Sequence, residues 1–241
     1  MVFVLGTKKF SSTPLTCNFH DVELFSIFTG MYPRRHIVEN RSVCHVTFRC
    51  HNRQFLLAPK AVKVFLLLLW AKYKRKYNIR IYDFIIMDNH VHMMLRAEDA
   101  ESLASFMRTV NFQLARFINK FFNRDSQAIR ERYKSPVIND ARYQMNVMKY
   151  IWLNRHKINK RERAEKDPFC SACWRLNPVC IRGLSSDKEE RRLLEGLLDS
   201  YTSLPEPLCQ KNQRSERRLV RKLLGEAYRK IEDLFDSVFK N

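Results

Sequence analysis

The sequence has few residues that break regular structure and no stretch apolar enough to span a bilayer. Among 241 residues there are only 5 glycines and 8 prolines, and 45% are hydrophobic, which argues against a disordered or fibrous chain. The longest apolar run, VFLLLLWA from Val64, falls well short of the roughly 20 residues of a transmembrane helix. The N-terminus lacks a basic segment before a long apolar stretch, so we expect neither a secretory signal nor a membrane partner.

Acidic residues are scarce relative to basic ones. The chain has 25 Asp and Glu against 44 Lys and Arg, for a net charge of +19, so a polyanion is the natural partner and nucleic acid is the first candidate. The basic residues are scattered between aromatics, a composition typical of single-strand binding. The 7 cysteines are odd in number and lack a dense framework, which is typical of a reducing cytoplasm.

Hydrophobic periodicity predicts the order strand, helix, strand, strand, helix, strand, followed by a further helix. The predicted strands are residues 43–51, 79–87 and 90–96, with a weaker fourth strand in RERYKSPVIND. The predicted helices run from Pro59 to about Lys76, from near Ala100 to Phe121, and from Ala141 to about Asn159. This order predicts an α+β fold, a ferredoxin-like split βαβ antiparallel sheet with helices on one face.

We divide the chain into an N-terminal extension (1–30), a central domain (31–160), a charged, Cys-containing loop (161–184) and a basic helical tail (185–241). The tail carries two similar segments, ERRLLEGLL and ERRLVRKLL, which predict a C-terminal helical hairpin. In the loop, Cys170, Cys173 and Cys180, together with Cys209, offer an alternative zinc site. Ordinary cysteines of a reducing cell explain this spacing more simply.

Two histidines stand one residue apart in the segment MDNHVHMML. On a strand, His90 and His92 project from one face while Val91 and Met93 project from the other. Paired imidazoles on one face suggest a metal site, and a hydrogen-bonded core histidine beside a partly exposed one is an equal alternative.

The helix after the fourth strand carries a tyrosine and an asparagine one turn apart. Tyr150 and Asn154 share a face with Tyr143, Asn146 and Val147 because these residues are spaced by three or four. Taken alone, this pattern is more typical of a partly buried helix stripe than of an active site.

Taken together, MDNHVHMML, RYKSPVI and VMKYIWLN resemble the motifs MPNHVHLLL, RYKS and YIxLNP of the single-tyrosine HUH transposases, particularly the REP-associated tyrosine transposases. The resemblance spans roughly Met31 to Asn159. The chain differs from these motifs at Asp88 and Arg155, which replace prolines, and at Trp152.

The resemblance implies an enzyme that cleaves and rejoins single-stranded DNA through a 5′-phosphotyrosine intermediate. It implies that Tyr150 is the nucleophile and that His90, His92 and Asn154 hold a divalent cation. The family's cation is magnesium or manganese, although two imidazoles suit zinc as well. The alternative is a non-catalytic DNA- or RNA-binding protein that retains the HUH fold.

The expected partner is single-stranded or hairpin DNA, and the expected protein is a cytoplasmic, nucleoid-associated monomer or homodimer. Basic side chains with an adjacent aromatic are the candidates for holding the DNA. They are Arg34, Arg35, Arg132, Tyr133, Lys134, Arg155, Lys157, Lys160, Arg161 and Arg163.

Overall fold

The structure, a computed structural model, describes residues 41–130, 132–204 and 207–239. The predicted extension over residues 1–30 and the candidate residues Arg34 and Arg35 lie outside the described residues.

A sheet with the order β1-β3-β2 forms the centre of the fold. Its strands are β1 (Val43–Arg49), β2 (Arg80–Ile86) and β3 (His90–Arg96), and β3 pairs antiparallel with both neighbours. Because β3 lies between β1 and β2, which are joined by helix α1 (Lys60–Lys74), the chain forms the predicted split βαβ unit. The α+β class predicted from the sequence is therefore confirmed.

The predicted fourth strand forms only isolated bridges along the outer edge of β1. Two bridges join Cys44 to Val137 and Thr47 to Lys134, and a third joins Cys50, just after β1, to Ile129, just before the predicted strand. Pro136 explains the interruption, because proline has no N–H to donate and only its carbonyl is used, accepting from the His45 N–H at 3.0 Å.

Helices α1 and α2 (Ala100–Phe121) cover one face of the sheet, as predicted. Asp99 caps α2 by accepting from the Ser102 N–H at 2.7 Å. The core between these layers joins alternate strand residues such as Val46 and Met93 to the apolar stripe of α2, which comprises Leu103, Phe106, Met107, Val110, Leu114 and Ile118.

Helix α3 (Ala141–Ile158) packs against β2 and β3 on the opposite face. Asp140 caps it by accepting from the Tyr143 N–H at 2.7 Å. Val147, Met148 and Ile151 form a second core with Met94 of β3. Since His90 and His92 share a strand face with Met94, they lie on the side of the sheet that carries α3.

The segment expected to be a Cys-containing loop includes a short helix. Helix α4 (Ser171–Leu176) precedes a 3₁₀ turn over Pro178–Gly183, and Cys170, Cys173 and Trp174 are buried. The loop prediction was wrong at this point because six residues are too few to show helical periodicity, while their apolar side chains reach the cores.

The two C-terminal helices do not form the predicted hairpin. Helix α5 (Lys188–Glu195) packs on α1, whereas α6 (Gln213–Phe239) packs on α3 and α4. Leu194 joins the core beneath α1 and Val220 joins the core beneath α3, so the apolar faces of the two helices meet different partners. Among the described residues, no helix is long and apolar enough to cross a membrane.

Candidate active site

The face of the sheet covered by α3 carries the histidines. In the antiparallel register Thr47 lies opposite His92 and His45 lies opposite Met94, so His45 and His92 are diagonal neighbours on one face. His45 is fully buried and His92 is 7% exposed. The paired histidines of the sequence are thus joined by a third one from the adjacent strand.

His45 and His92 are in direct contact. The Nε2 atom of His45 lies 3.0 Å from Nδ1 of His92, a hydrogen bond whose direction depends on the tautomers of the two rings. The ring centroids are 5.2 Å apart and the ring planes are inclined by 25°, so the two rings meet edge to edge through these nitrogens. His90 meets His92 edge to face, with centroids 5.0 Å apart.

Asn89 fixes the orientation of His90. The Asn89 amide Nδ2 donates to the carbonyl of Arg53 at 3.0 Å, which turns Oδ1 toward His90 Nδ1 at 2.6 Å. Since an amide oxygen only accepts, His90 Nδ1 carries the proton and Nε2 keeps its lone pair. His90 is therefore held in the tautomer that binds a metal through Nε2.

Tyr150 of α3 lies over this group of imidazoles. Its ring meets His92 edge on at a centroid distance of 5.1 Å and His45 at 5.9 Å. The Lys157 ammonium lies 4.6 Å from the centre of the tyrosine ring. Burial raises the pKa of Tyr150, and the charge of Arg49 opposes that shift.

The three imidazoles are neutral near pH 7. Burial lowers the pKa of His45 to about 4, and burial together with the charge of Arg49 lowers the pKa of His90 to about 4. Burial, reinforced by the neighbouring histidines, takes the pKa of His92 well below its usual value. Neutral imidazole is the form that ligates a cation.

Asn154, the third predicted ligand, is buried one turn after Tyr150. Its Nδ2 donates to the Tyr150 carbonyl at 2.7 Å, so the Oδ1 atom is not used in this hydrogen bond. Asp88 lies in the turn between β2 and β3, where it bonds Lys63 at 2.6 Å and lies 3.6 Å from Arg155.

The predicted DNA-binding residues fall into different environments. Arg155 forms an ion pair with Asp167 at 2.9 Å and donates to the Ile86 carbonyl at 3.1 Å, so its guanidinium binds within the protein. Tyr133 packs at the margin of the core beneath α1 and α2. The exposed members of the set are Arg132, Lys134, Lys157, Lys160 and Arg161.

Sequence reasoning missed two residues of this site, His45 and Asn89. His45 stands in the predicted strand VCHVTFRCH, but only the cross-strand register brings it to His92. Asn89 had a local signal, since it precedes His90 in the turn. There its amide, and not the carboxylate of Asp88, bonds the histidine.

Within the described ranges, no group of three or more His, Cys, Asp or Glu side chains is arranged to hold a metal ion. The predicted set of His90, His92 and Asn154 includes only two residues of these types. Of the cysteines considered for zinc, Cys170 and Cys173 are buried in different cores.

Comparison with known proteins gives a family match over the domain that carries this site. A family model described as "Transposase IS200 like" matches residues 39–154, which contain β1 to β3, the paired histidines and Tyr150. The matched region, which spans just under half of the chain, is therefore similar to the IS200-like transposases. This match confirms the resemblance noted in the sequence.

The fold is also similar to a solved REP-associated tyrosine transposase bound to a REP hairpin. That match has a TM-score of 0.48 and 18% sequence identity, and it covers 64% of this chain and 88% of the other. Comparison with curated proteins gives no match.

Proposed function

We propose that this protein cleaves single-stranded DNA and rejoins strands through a 5′-phosphotyrosine on Tyr150, with magnesium or manganese as cofactor. The observation that carries the proposal is the contact between the Tyr150 ring and His92, 5.1 Å between centroids, within a domain of a transposase family. This contact brings a tyrosine, the nucleophile that a phosphotyrosine intermediate requires, beside the neutral imidazoles of His92 and His45.

The residues present suit a divalent cation. His90 and His92 are neutral, and both have Nδ1 engaged by a neighbour, Asn89 and His45 respectively. A ring whose Nδ1 donates to such a neighbour keeps the lone pair of Nε2 for a cation. We assign His90, His92 and the Asn154 amide oxygen as the ligands. A divalent cation held by these residues would polarise the scissile phosphate.

Tyr150 supplies the nucleophile. Its phenol gives up its proton to solvent as the phenolic oxygen attacks phosphorus. The bond between phosphorus and the 3′ oxygen breaks, and the leaving oxygen takes a proton from solvent to give a 3′ hydroxyl. The phosphotyrosine retains the ester, so attack by another 3′ hydroxyl rejoins the strand without a nucleotide triphosphate. Burial disfavours the phenolate by raising the pKa of Tyr150, whereas the positive charge of Arg49 favours it.

The proposed substrate is a DNA hairpin with single-stranded flanks. An attacking tyrosine requires an exposed phosphate, and the net charge of +19 suits a polyanion. The exposed residues Arg132, Lys134, Lys160 and Arg161 are the proposed contacts to the phosphate backbone. Both a monomer and a homodimer are compatible with this chemistry.

Covalent adduct formation tests the proposal. The full chain is incubated with manganese and labelled hairpin oligonucleotides whose flanks differ in sequence, and the products are separated on a denaturing gel. We expect a band that combines protein and DNA and disappears after protease treatment. Binding without any adduct on these substrates would favour the non-catalytic alternative.

A further inference from the structure

We propose that His45 is a positioning residue that holds His92 in the tautomer whose Nε2 faces the divalent cation. The inference rests on the proposed function, because it concerns the metal site assigned there. It assigns a role to a residue that lies outside the three sequence motifs shared with the transposases. His45 is the third residue of β1.

The contact between His45 and His92 is well protected from water. His45 is fully buried and His92 is 7% exposed, and 3.0 Å separates His45 Nε2 from His92 Nδ1. The ring planes are inclined by only 25°, so the hydrogen bond lies close to the plane of both rings. Since β1 and β3 are paired in a fixed register, the sheet itself holds the two rings at this distance.

Only one proton occupies the hydrogen bond between the two neutral rings. If His92 Nδ1 donates, its Nε2 has a lone pair and can bind a cation; if His45 Nε2 donates, His92 Nε2 carries a hydrogen and cannot. Metal binding by His92 through Nε2 therefore requires His45 to be the acceptor. A side chain without an acceptor at this position would leave the metal-binding tautomer without its partner.

His90, the other histidine ligand, is also held by a hydrogen bond at Nδ1. Asn89 Oδ1 accepts from His90 Nδ1 at 2.6 Å, so each predicted histidine ligand has a partner at Nδ1. Asn89 belongs to the turn before β3, whereas His45 belongs to a different strand. The orientation of His92 thus depends on the pairing of β1 with β3, and partners of this kind are typically worth about 10- to 100-fold in metal affinity.

Two substitutions separate hydrogen bonding from packing. His45→Phe keeps a flat ring and removes the acceptor, whereas His45→Gln places an amide oxygen near the position of Nε2. Met94→Leu is the matched control, because Met94 lies opposite His45 and the exchange conserves volume.

The measurement is the affinity for Mn²⁺ of the full chain without DNA, followed by electron paramagnetic resonance. We expect about 10- to 100-fold weaker binding for His45→Phe, and binding close to the parent for His45→Gln and Met94→Leu. Parental affinity in His45→Phe would overturn the inference. If that variant fails to fold, ¹⁵N NMR of the parent imidazoles decides, since His92 with its hydrogen on Nε2 in the Mg²⁺-bound protein would also overturn it.

A further variant, His90→Ala, separates this inference from the proposed function. If His90→Ala loses Mn²⁺ binding and His45→Phe does not, the metal site stands and the role of His45 falls. If the parent itself does not bind Mn²⁺, the metal site of the proposed function fails, and the role of His45 fails with it.

Discussion

The indole Nε1 of Trp152 donates a hydrogen bond to Asp83 Oδ1 at 2.9 Å, joining the helix that carries Tyr150 to the middle of β2. Ser171 and Tyr201 also donate to this fully buried carboxylate, both at 2.8 Å. Arg175 lies 3.8 Å from it and pairs with Glu216 of α6 at 2.8 Å. Residues beyond the family match thus help to fix the helix that bears the tyrosine.

Tyr201→Phe tests the strength of this buried network. The change removes only the O–H donor to Asp83 Oδ2, so we expect the free energy of unfolding to fall by about 1.5 to 3 kcal/mol, as for a hydrogen bond to a charged group. Denaturant unfolding measures it. The control is Tyr77→Phe, which removes a neutral contact to Thr109 and should cost about 0.5 to 1.5 kcal/mol. A smaller loss for Tyr201→Phe than for the control would contradict a central role for the network.

The sequence predicted the parts of the fold and site that local patterns specify. Alternation placed His90 and His92 on one strand face, and the three- and four-residue spacing of Leu103 to Ile118 predicted α2. Both depend on residues close together in the chain.

Features set by long-range packing escaped sequence reasoning. His45 joins the site only because β1 pairs with β3. Its contact, His92, is 47 positions away in the sequence. The two C-terminal helices share a sequence pattern, yet the core that each one covers is decided by distant partners. The sequence allowed one core histidine beside a partly exposed one, but it could not say that His92 is the buried one, because that burial depends on α3.

His90→Ala is the clean test of the metal site. His90 is only half-buried, whereas His92 is buried enough that truncation would also leave a cavity. We expect His90→Ala to lose Mn²⁺ binding and adduct formation while keeping the fold and most DNA affinity. Circular dichroism checks that the fold is kept, and a filter-binding assay measures the DNA affinity. Adduct formation at the parental rate with manganese would remove His90 from the site.

Affinity for DNA should fall steeply with salt. A net charge of +19 makes phosphate contacts the main source of non-specific binding, so counterion release should give a clearly negative slope of log affinity against log salt. Replacing the exposed Lys160 and Arg161 by Ala should reduce that slope by about one to two. A slope near zero in the parent would contradict the assignment of a polyanion as partner.

Single strands and hairpins with single-stranded flanks should bind more tightly than plain duplex. The proposed reaction requires a phosphate that Tyr150 can reach, and bases stack on aromatic side chains only when they are unpaired. Competition between a flanked hairpin and a random duplex of equal length, at one salt concentration, measures the preference. Equal affinity for the two would count strongly against the proposed substrate.

Tyr150→Phe is the most direct test of the chemistry. The change removes one oxygen and keeps the ring that packs against His92 and His45, so loss of function must come from the hydroxyl and not from a cavity. We expect the variant to fold and to bind single-stranded DNA nearly as well as the parent, yet to form no denaturation-resistant adduct.

Tyr143→Phe is the matched control, because Tyr143 lies two turns earlier on α3 and packs at the margin of the core beneath this helix. It should form the adduct at the parental level. A labelled hairpin oligonucleotide is incubated with each variant and manganese, separated on a denaturing gel and mapped by mass spectrometry. An adduct that persists in Tyr150→Phe, or that maps to Tyr143, would assign the nucleophile to another residue. The contact between Tyr150 and His92 would then be one of packing alone.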